Sequence, residues 1–187
     1  QGVPVVTLTL NGKFYPFMLD TGASDKLYLT ESLAEELPGL ARSGRKLKSV
    51  DLGGKVQESD EVVVADFVAS GIHFSRTTGR IRQPWGLVLG AASEVPPDIS
   101  VIGMALFENK RVLIDVARRQ LTIHDSAAAV PDEVQRWAPQ QYTYGSEGLV
   151  LPFTSGAGRY RMVLDSAVTL SLVKLRVSTF NPRPPPR

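Results

Sequence analysis

The sequence predicts an all-β fold with short helices. Three observations carry this reading. Apolar and polar residues alternate over Val5-Val6-Thr7-Leu8-Thr9-Leu10, the period of a strand with one buried face. Asn11-Gly12 follows and Phe14 to Leu19 returns as a second apolar run; Asn-Gly between two β-rich runs is the strongest short-range hairpin signal. The helical patterns are all short: Leu29 to Leu37, Met104 to Asn109, and Pro131 to Ala138.

The second arm of the hairpin runs into Asp20-Thr21-Gly22-Ala23-Ser24. A carboxylate at the tip of a buried strand is costly unless it is hydrogen-bonded or used. Beyond it, Thr30 is placed to cap a helix with Glu31 in its first turn, and Pro38-Gly39 ends that helix. Leu47 to Leu52 reads as a strand, Gly53-Gly54 as a tight turn, and Lys55 to Gln57 as the return. Glu61 to Val68 and Ile72 to Phe74 continue the strands; Trp85 to Gly90 reads as another, before an exposed insert from Ala91 to Asp98. Val101-Ile102-Gly103 leads into the second helical stretch. Two strands then follow, Arg111 to Val116 and Gln120 to Ile123, joined by Ala117-Arg118-Arg119. From Ser126 to Gly148 the texture changes, with an alanine-rich run, a helix started by Pro131, and a turn-rich exit between Pro139 and Gly145. The predicted organisation is one lobe over residues 1–125, a linker over 126–147, and a partial second lobe over 148–187.

The chain then repeats itself. Gly148 to Thr154 is a strand, Ser155-Gly156-Ala157-Gly158 a turn, and Arg159 to Asp165 a second strand ending in aspartate. The segment from Gly2 to Asp20 has the same plan of strand, glycine turn, strand and aspartate. After the two aspartates, Thr21-Gly22-Ala23-Ser24 is matched by Ser166-Ala167-Val168-Thr169. The tail, Asn181-Pro182-Arg183-Pro184-Pro185-Pro186-Arg187, is polyproline-like and cannot enter a sheet interior. The second copy is therefore abbreviated, either because the chain is naturally short or because it is a fragment. A proline-rich ligand for an aromatic groove is a third reading of the tail.

Composition narrows the chemistry. The 187 residues are 43% hydrophobic with a net charge of +2, enough for a sizeable core and too neutral for a nucleic-acid surface. The only basic cluster, Arg42 to Lys48, reads as a solvated loop before a strand. No apolar run approaches the ~18–20 residues of a membrane span. There is no cysteine and there are two histidines, His73 and His124, far apart, so disulfides, thiolate chemistry and a zinc site are not expected. No cofactor is implied. Gly156-Ala157-Gly158 lacks the third glycine of a phosphate-binding loop and reads as a hairpin turn. The chain starts at Gln1 rather than methionine. That fits a removed signal peptide, and so an exported or periplasmic protein, or a trimmed boundary.

The run from Phe17 to Ser24, the hairpin before it and Val101-Ile102-Gly103 after it together resemble aspartic peptidases of the retropepsin and pepsin types, over roughly residues 3–124. The resemblance implies an acid-protease-like closed barrel and an aspartic endopeptidase that cuts extended polypeptide beneath a flap, here the hairpin tipped by Gly53 and Gly54. Such enzymes use two carboxylates about 3 Å apart that share one proton. Asp20 is one half. Thr21 would brace the loop, Gly22 would let the backbone approach the carboxylates, and Ser24 would hydrogen-bond Asp20. The partner is Asp165 of the same chain or Asp20 of a second copy in a homodimer. Ser166 can replace the threonine hydroxyl, whereas Ala167 puts a Cβ where the family has glycine, in a turn that would favour positive φ. That weighs against Asp165 as a catalytic half. The competing readings are a catalytically inactive peptidase-like barrel that grips a strand-like peptide, and an interaction protein whose second half docks another subunit.

Overall fold

Asn11 and Gly12 have φ values of 51° and 78°, the pair of left-handed residues that a type I′ hairpin turn requires. They join β1 (Val5–Leu10) to β2 (Lys13–Asp20), which pair antiparallel from Val5↔Met18 to Leu10↔Lys13. The computed structural model describes residues 3–50, 54, 56–82, 99–130, 132–146, 148–156 and 158–167. The expected strand at Trp85–Gly90, the insert at 91–98 and the turn residue Gly53 lie outside them.

The strands that follow are β3 (Leu27–Leu29), β4 (Leu40–Val50), β5 (Val56–Ala69), β6 (Ile72–Ile81) and β7 (Ser100–Gly103). Together with the first hairpin they form one seven-stranded sheet in the order β1-β2-β7-β3-β6-β5-β4. The sheet curls so far that β1 meets the turn between β5 and β6, where Ser70 N–H donates to Thr9 O at 2.9 Å and Thr9 N–H donates to Ser70 Oγ at 3.1 Å. Alternate residues of these strands turn inward. Phe17, Leu19, Leu27, Leu29, Val62, Phe67 and Ile102 are each no more than 1% exposed, and burying such a side chain stabilises the fold by about 1.5–3 kcal/mol. Phe74 stands between Phe67 and Phe107, with ring centroids 6.0 and 6.2 Å away.

Helix α1 (Glu31–Glu36) is capped as the sequence predicts: Thr30 Oγ1 accepts from Leu33 N–H at 3.3 Å, and Leu33 and Ala34 are buried. The stretch after Gly103 is a 3₁₀ turn over Met104–Phe107. A separate two-stranded ribbon, β8 (Lys110–Asp115) with β9 (Gln120–Asp125), follows, and then the short helix α2 (Asp132–Gln135). The segment read as a linker also holds a strand, β10 (Thr143–Gly145). It pairs with β11 (Gly148–Ser155), which pairs with β12 (Gly158–Leu164), and together they make a three-stranded sheet. Among the described residues β12 has no neighbour on its far side. No described helix is long and apolar enough to cross a membrane.

The β4–β5 hairpin absorbs the basic cluster. Cross-strand ion pairs join Lys48 to Glu58 at 3.3 Å, Arg42 to Asp60 at 3.0 Å and Arg45 to Glu61 at 3.3 Å, and Lys46 also pairs with Asp60. The register slips between Arg42 and Lys46, around Gly44 at φ 80°, which marks a bulge. Gly54, at φ 80° near the tip, has nothing within 4 Å of a Cβ.

Candidate active site

Asp20 closes β2, next to a Leu19 that is 1% exposed, and is itself only 9% exposed. Parallel pairing of β2 with β7 sets it beside Gly103. The chain then folds back in a turn, with Ala23 N–H donating to Asp20 O at 3.4 Å and Gly22 N–H donating to Asp20 Oδ1 at 2.8 Å. Gly103 has to be glycine for this turn to close: a Cβ there would sit 3.0 Å from Ala23 Cβ and overlap the Asp25 carbonyl.

β12 delivers Asp165 to the same place, and the two loops clasp each other. Thr21 N–H donates to Ser166 Oγ at 3.0 Å, and Ser166 N–H donates to Thr21 Oγ1 at 3.0 Å. Each hydroxyl then reaches behind the opposite aspartate: Thr21 Oγ1 donates to Leu164 O at 2.6 Å and Ser166 Oγ to Leu19 O at 2.7 Å. The local bonds match as well, since Ala167 N–H donates to Asp165 Oδ1 at 2.9 Å, as Gly22 N–H does to Asp20. The seam is thus close to two-fold symmetric within one chain. Thr21→Val strips Leu164 O and Ser166 N–H of their partner. It is expected to cost about 2–4 kcal/mol in urea unfolding, whereas Thr21→Ser, which keeps the hydroxyl, stays within about 1 kcal/mol.

The expectation about Ala167 needs correcting. Ala167 is not among the positive-φ residues, and neither is Gly22, so this turn does not require a left-handed backbone in either copy. Gly22 is needed for space instead: a Cβ on it would lie 2.7 Å from Asp165 Cγ. The role expected for Ser24 also changes, because its Oγ lies 3.3 Å from Tyr28 Oη rather than against Asp20.

Burial raises the Asp20 carboxyl from its ordinary 3.8 to about 6. The nearby Asp165 carboxyl pushes in the same direction, and the Gly22 amide opposes it. The pair is unequally exposed, with Asp20 buried and Asp165 half-buried.

The structure also adds residues that sequence reasoning missed. Gly148, at φ 80°, is packed so closely that a Cβ would lie 2.6 Å from Gly22 Cα, and Leu149 N–H donates to Thr21 O at 3.0 Å. Tyr144 Oη donates to Ala23 O and accepts from Ala105 N–H at 3.2 Å. Below the loop, Arg80 pairs with Asp25 at 2.5 Å and stacks over Tyr28, its guanidinium 5.4 Å from the ring centroid. Local sequence carries no signal for Tyr144 or Gly148, whose partners on the Asp20 loop lie more than a hundred positions away. Among the described residues, no three His, Asp or Glu side chains gather in an arrangement suited to a metal ion.

Comparison with known proteins bears on the family of the chain. The sequence profile described as aspartyl protease matches residues 6–106, more than half of the chain. Among solved structures, the chain is similar to a retropepsin-like aspartic protease from Rickettsia conorii. The identity is 24%, the match covers 65% of this chain and 79% of that one, and the TM-score is 0.39. No curated protein matches significantly. The chain belongs to the aspartyl protease family.

Proposed function

We propose that the chain is an endopeptidase in which Asp20 and Asp165 of one molecule activate water against a peptide bond. The observation that carries this is the reciprocal Thr21–Ser166 clasp, which sets Asp165 and the buried Asp20 on facing loops, Asp165 packed against Gly22. Two carboxylates so close ionise in turn, the second only at a raised pH. Asp20, the more buried, keeps the shared proton, while Asp165 faces the water as carboxylate. Asp165 takes a proton from water as its oxygen bonds to the scissile carbon, and Asp20 gives its proton to the carbonyl oxygen. The resulting gem-diol then passes a proton to the amide nitrogen, the C–N bond breaks, and acid and amine leave. The β4–β5 hairpin with Gly53 and Gly54 acts as the flap over an extended polypeptide. The intramolecular clasp already occupies the hydroxyls that a homodimer would use to join two Asp20 loops.

The test is a panel of quenched fluorescent peptides assayed from pH 3 to 8 alongside the solution mass. The expected result is hydrolysis by monomer. Because the protonated Asp20 is the working form, kcat/KM falls about tenfold per pH unit above about 6. Asp165→Asn is expected to lower kcat by about a thousandfold or more. Full activity in that variant, or activity only in a dimer fraction, overturns the intramolecular pair. Tight peptide binding without cleavage at any pH points instead to a peptide-binding barrel.

A further inference from the structure

We propose that Tyr144 is a positioning residue for Asp20, tethering the active-site turn through its phenol oxygen; this rests on the peptidase reading above. Tyr144 lies on β10, in the stretch whose sequence suggests only a connection. Its oxygen uses both of its capacities on backbone groups. It donates to Ala23 O, on the turn that follows Asp20, and accepts from Ala105 N–H at 3.2 Å, on the 3₁₀ turn that follows Gly103. A phenol is suited to this because it is donor and acceptor at once. The first amides of a helical turn have no partner within the turn, so Ala105 N–H needs one from elsewhere.

The consequence follows from what those two turns carry. Asp20 and Gly103 are paired at the ends of β2 and β7. Tyr144 therefore bridges the chain just beyond both of them. The same turn supplies the Gly22 amide that holds Asp20 Oδ1 at 2.8 Å. Without the phenol oxygen, Ala23 O and Ala105 N–H each lose a partner and the Gly22–Ala23 peptide is free to shift. The Gly22 amide then drifts from Asp20, and Asp20 loosens against Asp165. The ionisable groups near Tyr144 are Tyr28, Asp25 and Asp20, and Asp165 faces Asp20 across the seam. Tyr144 directs its oxygen at backbone rather than at the dyad, so its effect on the reaction is indirect.

Tyr144→Phe keeps the ring and removes one oxygen. Peptide hydrolysis by the variant is expected to lose about tenfold in kcat with KM within about twofold, since loosened geometry penalises the reacting centre more than binding. A structural defect alone would not produce the second signature. In ¹³C-carboxyl NMR titrations, the Asp20 midpoint is expected to move down from the wild-type value by about half a unit or more, because Asp165 and the buried setting act on it less strongly. This readout does not depend on catalysis. If the wild type cleaves nothing but the midpoint still moves, the peptidase reading fails and the tether stands. If the wild type cleaves and the variant matches it in kcat and in Asp20 midpoint, the tether is overturned. A third measurement needs no variant: the Ala105 amide of the wild-type protein is expected to be protected from hydrogen exchange, and exchange at the free-peptide rate overturns the bridge.

Discussion

Asp20→Asn is expected to silence hydrolysis and, at neutral pH, to make the protein more stable. Both effects come from the same burial. Asparagine fits the space and can keep the bond from Gly22 N–H, yet it cannot hand a proton to a carbonyl, so a loss of about a thousandfold or more in kcat/KM is expected. The stability effect follows from the raised carboxyl. In the unfolded chain Asp20 has its ordinary value of 3.8, and in the folded protein it is about 6. Folding therefore favours the protonated form. Its contribution is fully present below about pH 4, declines as pH rises through 6, and above that leaves a buried charge costing on the order of 3 kcal/mol. Asparagine is neutral throughout and escapes that cost. Thermal melts of the two proteins should therefore differ little at pH 3.5 and diverge between pH 4 and 6, with the variant melting higher at pH 7. A variant that still cleaves at the wild-type rate removes Asp20 from the chemistry. A gap that is independent of pH removes the buried-carboxyl account.

Much of this site is legible in the sequence because it is built from local rules repeated twice. Asn11-Gly12 specifies the first hairpin, the hairpin aims Asp20, and the same plan around Gly156 aims Asp165. Thr21 and Ser166 are readable because each is the hydroxyl next to an aspartate, and their reciprocal bonds follow once the two loops meet. What fails is inference from a single residue's conformational preference. Ala167 suggests strain in a turn that favours a left-handed backbone, whereas the turn is ordinary in both copies; at Gly22 the missing Cβ leaves room for the facing carboxyl. Alanine at 167 has an ordinary backbone too, and its N–H still donates to Asp165 Oδ1. Ser24 resembles a site hydroxyl but faces Tyr28, because the turn carries it past Asp20. Tyr144 is invisible for a different reason. A tyrosine in a polar, turn-rich stretch reads as linker, and only the approach of β10 to the Asp20 loop gives it a role. The linker is thus partly a structural element of the site, and its boundary is set by tertiary pairing rather than by composition.

Gly148→Ala is expected to damage the protein more than any other single methyl added at a described glycine outside the first sheet. Two costs coincide there. Gly148 has φ 80°, a conformation that costs a side-chain-bearing residue about 1–3 kcal/mol. Its Cβ would also lie 2.6 Å from Gly22 Cα. The obstacle is backbone, so no side chain can rotate away to relieve it; β11 has to back off or the Asp20 turn has to move. Either response pulls on the bond from Leu149 N–H to Thr21 O and opens the seam between the aspartates. Displacement near 1 Å at a reacting centre costs about a hundredfold in rate, so kcat should fall by at least that much, with a stability loss of about 3 kcal/mol or more. Gly156→Ala separates the two causes. Gly156 is also left-handed, at φ 58°, but nothing lies within 4 Å of its Cβ, so it should lose stability through backbone strain alone and keep its catalytic rate. Gly145→Ala, with ordinary φ and open space, should change neither. If Gly148→Ala behaves like Gly156→Ala in both urea unfolding and peptide hydrolysis, the close approach of β11 to Gly22 does not hold the dyad together, and the seam must draw its rigidity from the hydroxyl clasp alone.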